Sequence, residues 1–161
     1  MISLLIFKRS ILLIAAFSAW LLPVTGNAQS SCVQLISDSG MEQSVPVRLG
    51  GTLRLSFRHS IYGSRVEEVF ALRRDGLELI QLRYGEARLV EFYGHENGQF
   101  EDGLWVVTPK PTLLPSLNLI LSADASMSLH FARHADSKQL VFQPGSALRL
   151  TVATCENGTH G

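Results

Sequence analysis

Two polar residues on neighbouring predicted strands, His59 and Glu68, are the strongest candidates for a functional site in this sequence. Period-two counting along the two strands places both residues on faces that are otherwise apolar. If residues 60–65 form the connecting loop, His59 faces Val66 and Phe57 faces Glu68. In that register the histidine lies diagonal to the glutamate, at a separation that long side chains can bridge.

A carboxylate on a buried face is costly unless it is paired or protonated, and His59 is the nearest partner for Glu68 in this register. The pair indicates a polar site at one end of a sheet that binds a ligand or a partner, with Ser60 beside it. The alternative is a structural clasp, in which the histidine holds the carboxylate and the loop backbone. Arg58 or Arg65 is a substitute partner for the carboxylate at the rim. We assign no catalytic residue, because a serine adjacent to a histidine in sequence is not a triad.

The remaining histidines give no metal site. His130 and His134 have the i,i+4 spacing of zinc ligands on a helix, but they continue an alternating run. On a strand they would stand about 13 Å apart, and the glutamate of an H-E-x-x-H motif is missing. His95 lies in a glycine-containing loop and is expected to be solvated. We therefore expect no metal and no cofactor, and the sequence has no P-loop, dinucleotide fingerprint or G-x-S-x-G motif.

The elements that carry these residues are predicted to be β-strands. Apolar and polar residues alternate with period two, and no sustained helical period competes with them. Four segments show the alternation: Leu53–Phe57, Leu117–Leu121, Met127–Phe131 and Leu148–Val152.

Turn residues separate the strands. Asp75-Gly76 predicts a two-residue hairpin with both residues at positive φ, and Gly50-Gly51 marks another turn. Three prolines make residues 108–116 an irregular connection. We expect an all-β fold, an antiparallel sandwich or partly closed barrel of about eight to ten short strands.

The N-terminal segment has the features of a secretory signal peptide over residues 1–28. Lys8 and Arg9 precede an apolar run of about a dozen residues, which Pro23 ends before it is long enough to span a membrane. Cleavage is predicted after Ala28, so we expect no permanent membrane anchor. Retention of the segment as an anchor, and lipidation of Cys32, are the alternatives.

The two cysteines, Cys32 and Cys155, lie near the ends of the exported chain, and we expect them to form a disulfide in an oxidising compartment. Removing residues 1–28 takes away two of the 14 basic residues and none of the 14 acidic ones, which leaves a charge of about −2. That balance gives no electrostatic reason to bind nucleic acid. We expect one β domain over residues 29–155 and a loose tail over residues 156–161.

The run Leu55-Ser-Phe-Arg-His59-Ser60-Ile61, followed by Val66-Glu-Glu68-Val-Phe70, resembles a family of small exported bacterial proteins classed as a domain of unknown function, numbered 1850. The family pattern is similar to His-Ser-Val, four spacers, then Val-x-Glu-x-aromatic, and His59, Ser60 and Glu68 match it. Members are often encoded beside membrane subunits of tripartite periplasmic-binding-protein-dependent (TRAP) transporters with a TAXI-type solute receptor. The resemblance implies a transport-associated role.

We therefore expect a periplasmic or secreted, non-enzymatic module that binds a partner or small ligand near His59 and Glu68. The expected partner is a TRAP-type membrane subunit or solute receptor. A small periplasmic hydrolase or isomerase using the His–Glu pair is an alternative, and a purely structural envelope domain is another.

Overall fold

The computed structural model describes residues 30–121, 127–132, 140, 145 and 147–155. The predicted signal peptide, the predicted tail and His134 lie outside the described residues. In the part that is described, no helix has the length and apolarity needed to cross a bilayer.

The described residues form eleven strands and one short helix. In chain order they are β1 (Ser31–Ser37), β2 (Glu42–Val47), β3 (Thr52–Arg58), β4 (Arg65–Arg73), β5 (Gly76–Tyr84), α1 (Ala87–Phe92), β6 (Gln99–Glu101), β7 (Leu104–Val107), β8 (Thr112–Leu114), β9 (Ser116–Ile120), β10 (Ser128–Ala132) and β11 (Ala147–Thr154). All four alternating segments contain strands, so the period-two prediction is confirmed.

The strands form two antiparallel sheets. The smaller sheet has the order β2-β1-β11-β9, and the larger has the order β10-β3-β4-β5-β7-β6, with β8 also paired to β5. Apolar residues of both sheets share one core cluster, which includes Leu35 and Leu150 from the smaller sheet and Leu53, Leu55 and Phe70 from the larger. The predicted all-β sandwich is confirmed.

The larger sheet extends beyond the smaller one, and a second apolar cluster covers the rest of its inner face. Leu89 and Val90 of α1 pack there against Val66, Tyr84 and Val107. Hydrophobic periodicity does not predict α1, because six residues are too few to show a 3.6-residue period. This helix and the β3–β4 loop form the end of the sandwich that holds His59.

The predicted disulfide is present. Cys32 in β1 is bonded to Cys155, with their Cα atoms 5.1 Å apart and a sequence separation of 123. The backbone N–H of Cys155 also donates to the carbonyl of Ser30 at 2.8 Å. The bond therefore ties the end of β11 to the start of β1 in the smaller sheet.

Two local predictions are wrong in detail. The hairpin between β4 and β5 exists, but Arg73 pairs with Gly76, so its two-residue turn is Arg74-Asp75 and positive φ is confined to Gly76. A Cβ at Gly76 would come within 2.2 Å of the Leu114 carbonyl, so the chain needs glycine there for close approach as well. Within residues 108–116, a three-residue strand, β8, pairs with β5 between the prolines.

Candidate functional site

The hairpin that carries the predicted site has a different register from the expected one. Phe57 lies opposite Val66, and Leu55 lies opposite Glu68, a shift of two residues. A shift of two keeps every side chain on its predicted face. The loop closes more tightly than expected, because Gly63 adopts a φ of 66° and the His59 N–H donates to the Ser64 carbonyl at 2.9 Å.

The new register separates the two predicted site residues along the sheet. Glu68 lies opposite Leu55, four positions from His59, which corresponds to about 13 Å of strand. The diagonal contact that the sequence predicted is therefore not formed. Ser60 is exposed in the loop beside His59. A common ligand for the three residues stays a prediction.

His59 is buried, with 6% of its surface exposed, and its side chain organises the loop. Its Nδ1 atom accepts hydrogen bonds from the backbone N–H groups of Ile61 and Tyr62, each at 3.3 Å. Two donors at Nδ1 require that atom to be unprotonated, so the proton of the neutral ring lies on Nε2. Of the two contacts expected for a structural clasp, the contact of the histidine with the loop backbone is thus present.

Aromatic side chains surround the His59 ring. Tyr62 stacks on it with centroids 5.1 Å apart, and Phe92 and Tyr93 meet it edge-on at 5.0 and 5.7 Å. Arg88 lies over the Tyr62 ring, 4.4 Å from its centroid. Such contacts each contribute about 0.5–1.5 kcal/mol beyond the burial of area. The histidine therefore fixes both the loop and the end of α1.

One side of this cluster faces solvent. Ile61 is 70% exposed, Phe92 49% and Tyr93 43%, and Tyr62 is half-buried between them. We call these four residues the aromatic surface. Contiguous exposed apolar groups of this kind mark interaction sites in soluble proteins.

A buried tyrosine supports the aromatic surface from below. Tyr84 stacks on Tyr93 with centroids 5.4 Å apart, and its hydroxyl lies 2.9 Å from Nε2 of His95. Burial raises the pKa of Tyr84, and the nearby Tyr93 and Glu68 raise it further. The hydroxyl therefore stays protonated, and it shares a hydrogen bond with His95, which is half-buried instead of solvated as the sequence predicted.

Glu68 lies behind the tyrosines, in a half-buried position on the inner face of the larger sheet. Burial raises the pKa of Glu68. Burial of Tyr93 is the main reason that its pKa is raised, and the charge of Glu68 raises it further. Glu68 thus lies close enough to both tyrosine hydroxyls for its charge to disfavour their ionisation.

Replacing Glu68 with glutamine should raise thermal stability at neutral pH and leave it nearly unchanged at acid pH. Because the folded state raises the pKa above its ordinary value of 4.5, it prefers the protonated acid. The stability from this preference is complete below the unfolded-state pKa and is lost as the pH rises through the folded-state value. Glutamine keeps the shape of the neutral acid and avoids that loss.

Melting temperatures of the native protein and the Glu68→Gln variant, measured from about pH 4 to pH 8, test this expectation. Glu96→Gln, a change at an exposed carboxylate, is the control. Parallel profiles of the native protein and Glu68→Gln over the whole range contradict the expected pH dependence.

The sequence pattern does not predict the surroundings of Glu67, the residue next to Glu68. Glu67 points to the opposite, outer face of the larger sheet, yet its side chain is only 1% exposed. Arg65 donates to its Oε1, Arg54 Nη1 lies 4.0 Å from Oε1, and Arg83 Nη1 lies 3.3 Å from Oε2. We call the three arginines around this carboxylate the arginine cluster. In the sequence, each of three strands carries an arginine whose side chain lies on the same face as Glu67. This pattern identifies a cluster only when the order of the strands in the sheet is known.

The chemistry of the site favours binding. His59 uses Nδ1 to hold the loop, and the register carries Glu68 away from it. Among the described residues, no group of three or more His, Cys, Asp and Glu side chains is placed to hold a metal ion. The arrangement instead offers apolar and aromatic area with a guanidinium at its edge.

Comparison of the chain with family models, with curated proteins and with solved structures finds no match. The resemblance to the exported family numbered 1850 therefore stays a prediction that rests on its motif.

Proposed function

We propose that this protein is an exported, non-enzymatic binding module that contacts its partner through the aromatic surface. The observation that carries the proposal is the exposure of Phe92, Tyr93 and Ile61 around a buried, hydrogen-bonded His59. Aromatic groups held on a fixed base lose little conformational entropy on binding, and they dominate binding energy where they occur in interfaces. The His–Ser–Glu motif, in this proposal, builds and supports the surface.

Two further observations support export and the choice of partner. The Cys32–Cys155 disulfide is compatible with an oxidising compartment such as the periplasm. The motif resemblance favours a TRAP-type transporter membrane subunit or solute receptor as the partner. The exposed apolar side chains suit an apolar protein surface, and the ion pair of Arg88 with Glu86 lies beside them as a polar rim.

A structural envelope domain is the second candidate, and the hydrogen bonds of His59 favour it. The ring is bonded to the loop backbone, as a clasp that only stabilises the fold would be. The two candidate functions differ in whether the exposed aromatic residues are needed. A clasp needs the buried ring, whereas a binding module also needs Phe92.

Changing Phe92 to serine should abolish partner recovery and leave folding intact. The side chain is about half exposed and lies outside the buried core, but it also contacts His59, Tyr62 and Tyr93, so a melting curve must confirm that the variant is folded. The tagged protein is crosslinked mildly in its own cells, recovered, and probed for the TRAP membrane subunit and solute receptor. We expect recovery to fall by roughly tenfold or more, as for an interface residue that dominates binding.

Ile120→Ser is the matched control, because Ile120 is an apolar residue of the smaller sheet and is 85% exposed. It should leave recovery unchanged. If neither transporter component is recovered with the native protein, or if both variants recover it equally, the proposed function is wrong.

A further inference from the structure

The arginine cluster brings three guanidinium groups together on one open face. Ser56 and Arg83 are the two ladder partners of Glu67, on the strands at either side. Arg54 is diagonal on β3, and Arg65 lies two positions earlier on β4. All three guanidinium groups therefore lie within 4.0 Å of a single carboxylate.

One carboxylate does not satisfy this cluster. The three arginines and Glu67 together carry a charge of +2. The chain that follows the predicted signal peptide is slightly acidic as a whole. Arg58 stands directly opposite Arg65, but its guanidinium donates to the Gly63 carbonyl in the loop, so it is not counted with the cluster. Like charges held close together destabilise a sheet, so an anion that compensates the remaining charge would be bound favourably.

The cluster also has hydrogen-bonding capacity left over. Each guanidinium has five N–H donors. Arg54 lies beyond hydrogen-bonding distance of the carboxylate, and both Nε of Arg83 and Oε2 of Glu67 are buried without a hydrogen-bond partner. Arg54 and Arg65 are 45% and 58% exposed, so their remaining donors are accessible from solvent.

Burial of Glu67 controls what an incoming anion meets. The carboxylate is 1% exposed beneath the guanidinium groups, so it orients them without presenting its oxygen atoms to the ligand. A planar guanidinium forms paired hydrogen bonds with phosphate oxygens. The charge of +2 matches a phosphate dianion.

We propose that the arginine cluster is a binding site for a phosphate dianion, either inorganic phosphate or the phosphate monoester of a lipid headgroup. The site lies on the outer face of the larger sheet, whereas the aromatic surface adjoins its inner face. The proposed phosphate site is therefore independent of the proposed partner contact.

The site is tested by titrating the exported protein with inorganic phosphate at low ionic strength and measuring the heat of binding by calorimetry. We expect saturable binding, weakened roughly tenfold or more by Arg54→Gln, because a charge-assisted hydrogen bond is lost. Arg65→Gln should weaken binding similarly. Arg73→Gln should leave binding unchanged, because Arg73 lies on the same sheet but pairs with Glu78. Unfolding curves confirm that each variant is folded.

Sedimentation with vesicles distinguishes the two sources of phosphate. Vesicles of phosphatidylcholine with and without phosphatidic acid are compared for the native protein and Arg54→Gln. Binding of inorganic phosphate that is lost in the variant supports a free ligand, and binding confined to phosphatidic acid that is lost in the variant supports a headgroup. Absence of binding to both probes, or equal binding by Arg54→Gln, overturns the proposal.

Discussion

Replacing both Cys32 and Cys155 with alanine should lower the free energy of unfolding by about 4–5 kcal/mol. The bond closes a loop with a sequence separation of 123 residues, so it restricts most of the unfolded chain. In the chain-entropy view the stabilisation grows with the logarithm of loop length. Alanine is chosen because Cys32 is buried, and a serine hydroxyl there would need a hydrogen-bond partner. Urea unfolding monitored by tryptophan fluorescence measures the change.

The native protein in reductant is the matched control for this variant. Its unfolding midpoint should fall to that of the double alanine variant, because both lack the same bond. A loss below about 1 kcal/mol in both would contradict the expectation, and it would indicate an unfolded state that is already compact.

The strands were predictable because one face of each sheet is buried. Leu53, Leu55 and Phe57 alternate with polar residues, and burial of one face follows from that pattern in any register. The register itself depends on the loop, where the φ of Gly63 and the hydrogen bonds to His59 close a tighter turn. Those are interactions of the folded loop, which the alternating pattern does not contain.

The turns show the same limit. Asp75-Gly76 was expected to place both residues at positive φ, but a close approach to Leu114 draws Gly76 into the strand. The same dipeptide at Asp102-Gly103 forms the two-residue hairpin of β6 and β7, with φ values of 50° and 80°. One sequence signal thus gives two outcomes, and contacts with distant strands decide between them.

The candidate site was predictable only in part. His59 is buried at the end of the sheet as expected, but its neighbours are Phe92, the last residue of α1, and Tyr93, which follows it, and α1 is too short to recognise from periodicity. The contact between Tyr84 and His95 also joins residues eleven positions apart across a loop. Proximity of this kind follows from the fold.

Adjacent glutamates show how a sheet gives different properties to similar residues. Glu68 lies among tyrosines on the inner face, where burial raises its pKa. Glu67 points to the outer face, where arginines from three strands surround it. A single step along β4 therefore separates a carboxylate that burial destabilises in its charged form from one that lies among arginines of three strands.

Replacing Glu67 with glutamine should lower the free energy of unfolding by about 2 kcal/mol, because the buried carboxylate is the charged partner of arginines that are themselves partly exposed. Arg65 would lose its charged acceptor, and Arg83, which is only 18% exposed, would lose the carboxylate 3.3 Å away. Urea unfolding gives the change directly.

Glu78→Gln is the control for the Glu67 variant. Glu78 pairs with Arg73 on the same sheet, but Arg73 is half exposed, so this exposed pair should contribute less than about 1 kcal/mol. Addition of Arg83→Met to each glutamine variant completes the comparison. A coupling energy of about 1 kcal/mol or more is expected with Glu67, and none with Glu78. If Glu67→Gln costs no more than Glu78→Gln, the buried carboxylate does not hold the arginine cluster together.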